Sequence, residues 1–193
     1  MKTFKLLTLF FCISLFCVNE SKAQIDVTVS PIGLLFGDLN IGADFALSEN
    51  LSVEAQVGLT FGSDDIGFDD LESKYFGLPI TVLGKYYFGP NNGADKFYAD
   101  AFLKFVTRNY SVDGDDNNVY SDYSNTRFGV GFGIGYKVVS AGGFVFDIGF
   151  GAGKAFVDNT KYEDENNQGG ITLDLPNLMI TGKLAVGYRF GGK

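Results

Sequence analysis

The stretch DIGFGAGKAF, residues 147–156, places glycines at 149, 151 and 153 ahead of Lys154 and so offers the parts of a phosphate-binding loop. The spacing denies that reading. A P-loop needs a glycine five positions before its Gly-Lys pair and a hydroxyl after the lysine to hold magnesium, and those positions are Ile148 and Ala155. The dinucleotide fingerprint fails in the same place, because its third glycine falls on Lys154. What remains is a period of two, with Phe146, Ile148 and Phe150 alternating with Asp147, Gly149 and Gly151, which is the pleat of a β-strand.

Other reaction chemistry is limited by composition. The chain has no histidine, which removes the commonest general base and metal ligand and every Ser-His or Cys-His nucleophile pair. Its two cysteines, Cys12 and Cys17, fall in the first 23 residues. The run DGDDNN at 113–118 carries the oxygens that calcium favours, yet an EF-hand would put glycine where Asn118 stands and glutamate where Ser124 stands. We expect a solvated acidic loop there, with divalent cations as its candidate partners. No cofactor is expected.

The ionisable residues that could still form a site are Asp44, Glu54, Lys85, Asp100, Lys104, Arg108, Arg127, Lys137, Asp147, Lys183 and Arg189, with Asp26 on the same face. Their setting is a chain that alternates apolar and non-apolar residues in stretches of about ten, with no sustained helical period. The alternation predicts eight strands, near 25–36, 39–47, 51–61, 75–88, 96–110, 126–138, 144–157 and 177–190. Connections at 37–38, 48–50, 89–95 and 140–143 are short or modest, and those at 62–74, 111–125 and 158–176 are long. In the sixth strand Phe128, Val130, Phe132, Ile134, Tyr136 and Val138 share one face, against Arg127, Gly129, Gly131, Gly133, Gly135 and Lys137 on the other. The last strand sets Leu178, Ile180, Leu184, Val186, Tyr188 and Phe190 against Met179, Thr181, Lys183, Ala185, Gly187 and Arg189.

The apolar face carries no charge along these strands except Lys154 at the rim, whereas the other face holds both signs. Alternate glycines weaken a water-exposed strand but suit a narrow lumen, where small and large residues interlock and a long Lys or Arg can cross over a glycine. The expectation is an all-β fold, an eight-stranded antiparallel transmembrane β-barrel of up-and-down topology, apolar outside and polar inside. A soluble β-sandwich is the alternative. A lumen this tight favours a salt-bridged plug over an ion path. Tyr86, Tyr87, Phe88, Tyr136, Tyr188 and Phe190 gather near the short turns as an aromatic girdle.

Residues 1–23 have the layout of a secretory signal peptide, with Lys2 and Lys5 before an apolar run of about 13 residues, too short to span a bilayer. The barrel domain is then 24–193. Of 15 basic and 23 acidic residues in the chain, that segment removes three lysines and one glutamate. Most of the remaining acid lies in the long connections: Asp64, Asp65, Asp69, Asp70 and Glu72, then Asp113, Asp115, Asp116 and Asp122, then Asp158, Glu163, Asp164, Glu165 and Asp174. So acidic a surface argues against a nucleic-acid partner.

The phrases SENLSVEAQVGL, GLPITVLGKYYF and LAVGYRF, and the closing Tyr188-Arg189-Phe190, resemble the small eight-stranded outer-membrane barrels of diderm bacteria, of the OmpA and OmpX kind, and uncharacterised barrel families of Bacteroidota. The resemblance implies residence in the bacterial outer membrane after export, outer-membrane lipid as surroundings, and Tyr188 and Phe190 as the signal read by the barrel insertion machinery. It implies a non-enzymatic structural or surface-interaction role. A small pore for small or apolar solutes, and an envelope-lipid-modifying enzyme, are the alternatives.

Overall fold

The structure, a computed structural model, describes residues 24–31, 37–66, 71–113, 123–162 and 177–191. Residues 1–23, where a signal peptide is expected, and most of the acidic loop residues lie outside them. Eight strands follow in order: β1 Ile25–Ser30, β2 Asp38–Ala46, β3 Leu51–Ile66, β4 Leu71–Tyr87, β5 Lys96–Asp113, β6 Tyr123–Val139, β7 Phe144–Tyr162 and β8 Leu178–Phe190. Each pairs antiparallel with the next, and β8 returns to β1, so the sheet closes. Closure leaves no edge and satisfies the ladder all the way round.

The pleat sorts the side chains as the alternation requires. Val27, Ile41, Val57, Ile80, Leu103, Phe132, Phe150 and Ile180 stand exposed on the outer face. Asp26, Glu54, Lys85, Tyr98, Lys137 and Asp147 are buried inside.

The strands differ from expectation at the end that bears the long connections. β1 stops at Ser30, and 32–36 lie outside the described residues. β3 and β4 run to Ile66 and from Leu71, β5 to Asp113, β6 from Tyr123 and β7 to Tyr162, so the expected loops are partly ladder. Apolar alternation fades in these extensions, but backbone pairing does not depend on it, and cross-strand aromatic contacts support them. Tyr110 stacks on Tyr123 with centroids 4.5 Å apart, and Tyr75 lies 5.8 Å from Tyr110.

A bulge opposite Phe128 and Gly129 inserts one residue into β7. Phe156 and Val157 then both face outward, and the inward phase passes to Asp158, opposite Arg127. Asp158 is therefore a lumen residue and not the loop residue that a strand ending at 157 made it. A bulge of this kind re-aims side chains beyond it.

The glycines that opened the sequence reading form a floor. Gly131 pairs with Gly153, Gly133 with Gly151 and Gly135 with Gly149 across β6 and β7. A Cβ at Gly135 would run into the Tyr98 ring, one at Gly131 into the Phe102 ring, and one at Gly129 into the Met179 sulfur. At these three glycines the space serves two aromatic rings and a thioether, while the crossing of a long cation over a glycine, expected from the sequence, occurs at Gly77, where an added Cβ would meet the Arg108 side chain. Gly182, facing outward on β8, has nothing within 4 Å of an added Cβ.

Gly135→Ala should therefore destabilise the folded barrel by about 1–3 kcal/mol, the usual penalty of overfilling a packed interior, whereas Gly182→Ala should leave it unchanged or firmer. Urea unfolding of the refolded protein in micelles measures both, and equal midpoints for the two variants would contradict the packing described.

Candidate functional site

Register brings the charged residues into one layer near the short-turn end. Asp26 lies opposite Asp44, and Asp44 opposite Glu54, across β1, β2 and β3. Like charges facing each other across strands destabilise a sheet, so this acidic wall needs cations from elsewhere. They come from β4, β6 and β8. Lys85 Nζ lies 3.1 Å from Asp44 Oδ2 and 3.1 Å from Asp147 Oδ2, and also contacts Glu54. Lys137 Nζ sits 2.5 Å from Asp44 Oδ2 and 2.9 Å from Asp26 Oδ2. Lys183 Nζ spans Glu54 Oε1 and Asp147 Oδ2, both at 2.6 Å. Arg189 grips Asp26 with its fork, Nε to Oδ1 at 2.6 Å and Nη2 to Oδ2 at 2.7 Å.

The result is a chain of four carboxylates and four cations, Arg189–Asp26–Lys137–Asp44–Lys85 and then Glu54 and Asp147 to Lys183, whose formal charges cancel. Lys85 and Lys137 are fully buried. A buried charge is tolerated only when paired and hydrogen-bonded, and here each ammonium spreads its donors over two or three carboxylates.

Two tyrosines complete the layer. Tyr87 donates to Asp44 Oδ2 at 3.2 Å and Tyr98 to Asp147 Oδ1 at 2.9 Å, while their rings lie 5.2 Å from Lys137 and 4.6 Å from Lys85. Tyr87 was expected in the outer girdle. It belongs inside, because it shares the odd parity of Lys85 along β4, whereas Tyr86 and Phe88 remain exposed outside. The parity was available in the sequence; the run of three aromatics obscured it.

The turn between β4 and β5 then covers the layer. Asp95 accepts the N–H groups of Asn91 and Asn92 and shapes the turn. Ala94 packs with Tyr87 and Tyr98, and Arg189 donates to the carbonyls of Ala94, at 2.8 Å, and of Asn92. One guanidinium thus ties the charge network to the turn that closes the short-turn end. Nothing in the sequence pattern of 89–95 marked it as more than a connection.

The remaining expected residues face the lumen outside this network. Asp100 lies across the ladder from Lys85, yet its Oδ1 has no hydrogen-bond partner among the described residues. Lys104 donates to the Ile180 carbonyl at 3.1 Å. Arg127 pairs with Asp158 at 3.1 Å and donates to the Leu178 carbonyl. Arg108 stands over Gly77 and Thr60. Tyr188 and Phe190 stand outside, with ring centroids 5.2 Å apart.

Chemically the layer is a brace. Asp44, Glu54 and Asp147 hold oxygens close enough to bind a metal ion, but the Lys85 ammonium already lies among those three carboxylates. Removing that ammonium leaves the layer one cation short, with Asp44 paired to Lys137 alone among the described residues and Glu54 and Asp147 sharing Lys183. Lys85→Met should cost about 3–5 kcal/mol, as broken buried pairs do, and adding Glu54→Gln should recover part of the loss. Chemical unfolding of the refolded proteins tests this, and a Lys85→Met barrel as stable as the wild type would contradict it.

Comparison with solved structures places this fold beside known barrels. The Ail attachment invasion locus protein of Yersinia pestis, solved with the heparin analogue sucrose octasulfate, superposes with a TM-score of 0.54 at 11% identity, covering 88% of this chain and 99% of that one. A major outer membrane protein of Thermus thermophilus gives a TM-score of 0.54 at 14% identity, covering 87% and 99%. No curated protein matches the chain by sequence. A family described as "Protein of unknown function (DUF3575)" matches the chain over residues 7–188. The chain, an eight-stranded barrel of the outer-membrane type, belongs to that family.

Proposed function

We propose that the chain is a resident of the bacterial outer membrane, exported behind the leader at 1–23, whose role is structural or adhesive rather than enzymatic. The observation that carries this reading is the pairing of an apolar outer surface on every strand with an interior closed by the neutral network and the 89–95 turn. An outer face such as that of β6, with Phe128, Phe132, Ile134 and Val138 exposed, is stable in hydrocarbon and unfavourable in water. The closed interior favours a plugged barrel over a pore. Tyr188 and Phe190, exposed side by side at the chain end, are the side chains that the insertion machinery would read.

The two ends then face different compartments, with the short turns inside and the acidic connections outside, as barrels of this type are built. A surface role is supported by the likeness in fold to an attachment invasion protein. The acidic connections are the parts that would meet a partner or divalent cations.

A lipid-reactive photo-crosslinker placed along β6 in cells tests the membrane reading. Positions 128, 130, 132 and 134 should label acyl chains, and 129, 131, 133 and 135 should not; equal labelling, or none in either set, would contradict it. In the same cells an added broad-specificity protease should cut within 67–70, 114–122 or 163–176 and spare 47–50 and 140–143. Cleavage confined to the short turns would invert the orientation.

A further inference from the structure

The lumen carries its charge unevenly. Near the short turns Lys85, Lys137, Lys183 and Arg189 each meet a carboxylate, but beyond Phe102, towards the long-connection end, three cations gather on neighbouring strands. Lys104 and Arg108 are four apart on β5 and face inward, and Arg127 on β6 lies opposite Val106, between them. Diagonal neighbours on one face of a ladder are about 7–8 Å apart, within reach of long side chains. Arg127 is paired with Asp158. Lys104 has one hydrogen-bond partner among the described residues, the Ile180 carbonyl, and makes no ion pair there. Arg108 makes no ion pair among the described residues, and its Nε is buried without a hydrogen-bond partner.

Such a cluster is expensive to assemble, since like charges repel and buried donors left unmade cost stability. Stuffing the lumen does not require it, because the other layer fills the same width with charges that cancel. The carbonyls of Leu178 and Ile180 hold Arg127 and Lys104 in place, and of these two only Arg127 has a carboxylate, Asp158, as ion-pair partner among the described residues. Val106, Ala155 and Met179 pack as an apolar patch at the same level.

We propose that Arg108, Lys104 and Arg127 form a binding site for an oxyanion, a phosphate, sulfate or carboxylate group on a ligand entering from the long-connection end. Arg108 supplies the planar fork that matches such groups with two hydrogen bonds, and Lys104 and Arg127 add charge. The site goes beyond the structural or adhesive role and does not depend on it.

The test uses the full mature chain, folded in micelles, titrated calorimetrically with inorganic phosphate against chloride at constant ionic strength. Wild type should bind saturably. Arg108→Gln should bind at least ten-fold more weakly, Arg108→Lys between the two, and Lys96→Gln, at the short-turn end, like wild type. Non-saturating heats for wild type, or equal affinity for wild type and Arg108→Gln, would overturn the site. Heat-modifiable gel migration reports folding, and should Arg108→Gln not fold, Arg108→Lys at wild-type affinity would overturn it equally. Repeating the titration in nanodiscs separates a soluble anion from a lipid headgroup. Affinity independent of lipid charge is expected, because the strand wall lies between, and loss of phosphate binding in anionic discs would refute a lumenal site.

Discussion

The interior of this barrel depends on one ammonium group. Asp44, Glu54 and Asp147 come from three strands and converge, and Lys85 from a fourth lies among all three. An acidic wall across β1, β2 and β3 would open the sheet by repulsion unless cations met it, from the flanking strands β4 and β8 and, through Lys137 of β6, from across a lumen narrow enough for lysine to reach. Lys137, Lys183 and Arg189 extend the same solution round the ring, so that each of the network's four carboxylates, Asp26, Asp44, Glu54 and Asp147, is shared between two cations. The brace also determines which end is shut, since Arg189 serves both Asp26 and the turn carbonyls of Asn92 and Ala94.

The outer surface and this brace are linked through the pleat. Each strand that turns Phe, Ile, Val or Leu outward must turn the intervening residues inward, and there they are either small or charged. β6 and β7 supply glycines, which admit Tyr98 and Phe102 from β5, and Tyr98 in turn donates to Asp147. A strand register slipped by one residue would put charge into the apolar face and rings into the lumen wall. The register is thereby held from both sides of the wall.

Much of this was legible in the sequence because period two is strict. The strand count, the inward face of Lys85, Asp147 and Arg189, and the inward glycines follow from parity alone. What parity does not carry is pairing between strands distant in sequence. It could not tell that Lys85 meets Asp44 and not its ladder neighbour Asp100, nor that Asp158 turns inward, because one inserted residue in β7 reverses the phase beyond it. Nor could it see the 89–95 turn fold over the lumen, since that rests on backbone carbonyls that any sequence would offer. The strand extensions past Phe61 and Val157 were missed for a related reason: ladder bonds continue where apolar alternation has ended.

The closed lumen is the central claim, and single-channel recording of the wild-type protein in planar bilayers tests it most directly. On the proposed reading, a lumen bridged by paired charges and capped by a turn carries no continuous water path, so the reconstituted protein should give no steady conductance. Long-lived, ohmic current steps from correctly folded wild-type protein would contradict it.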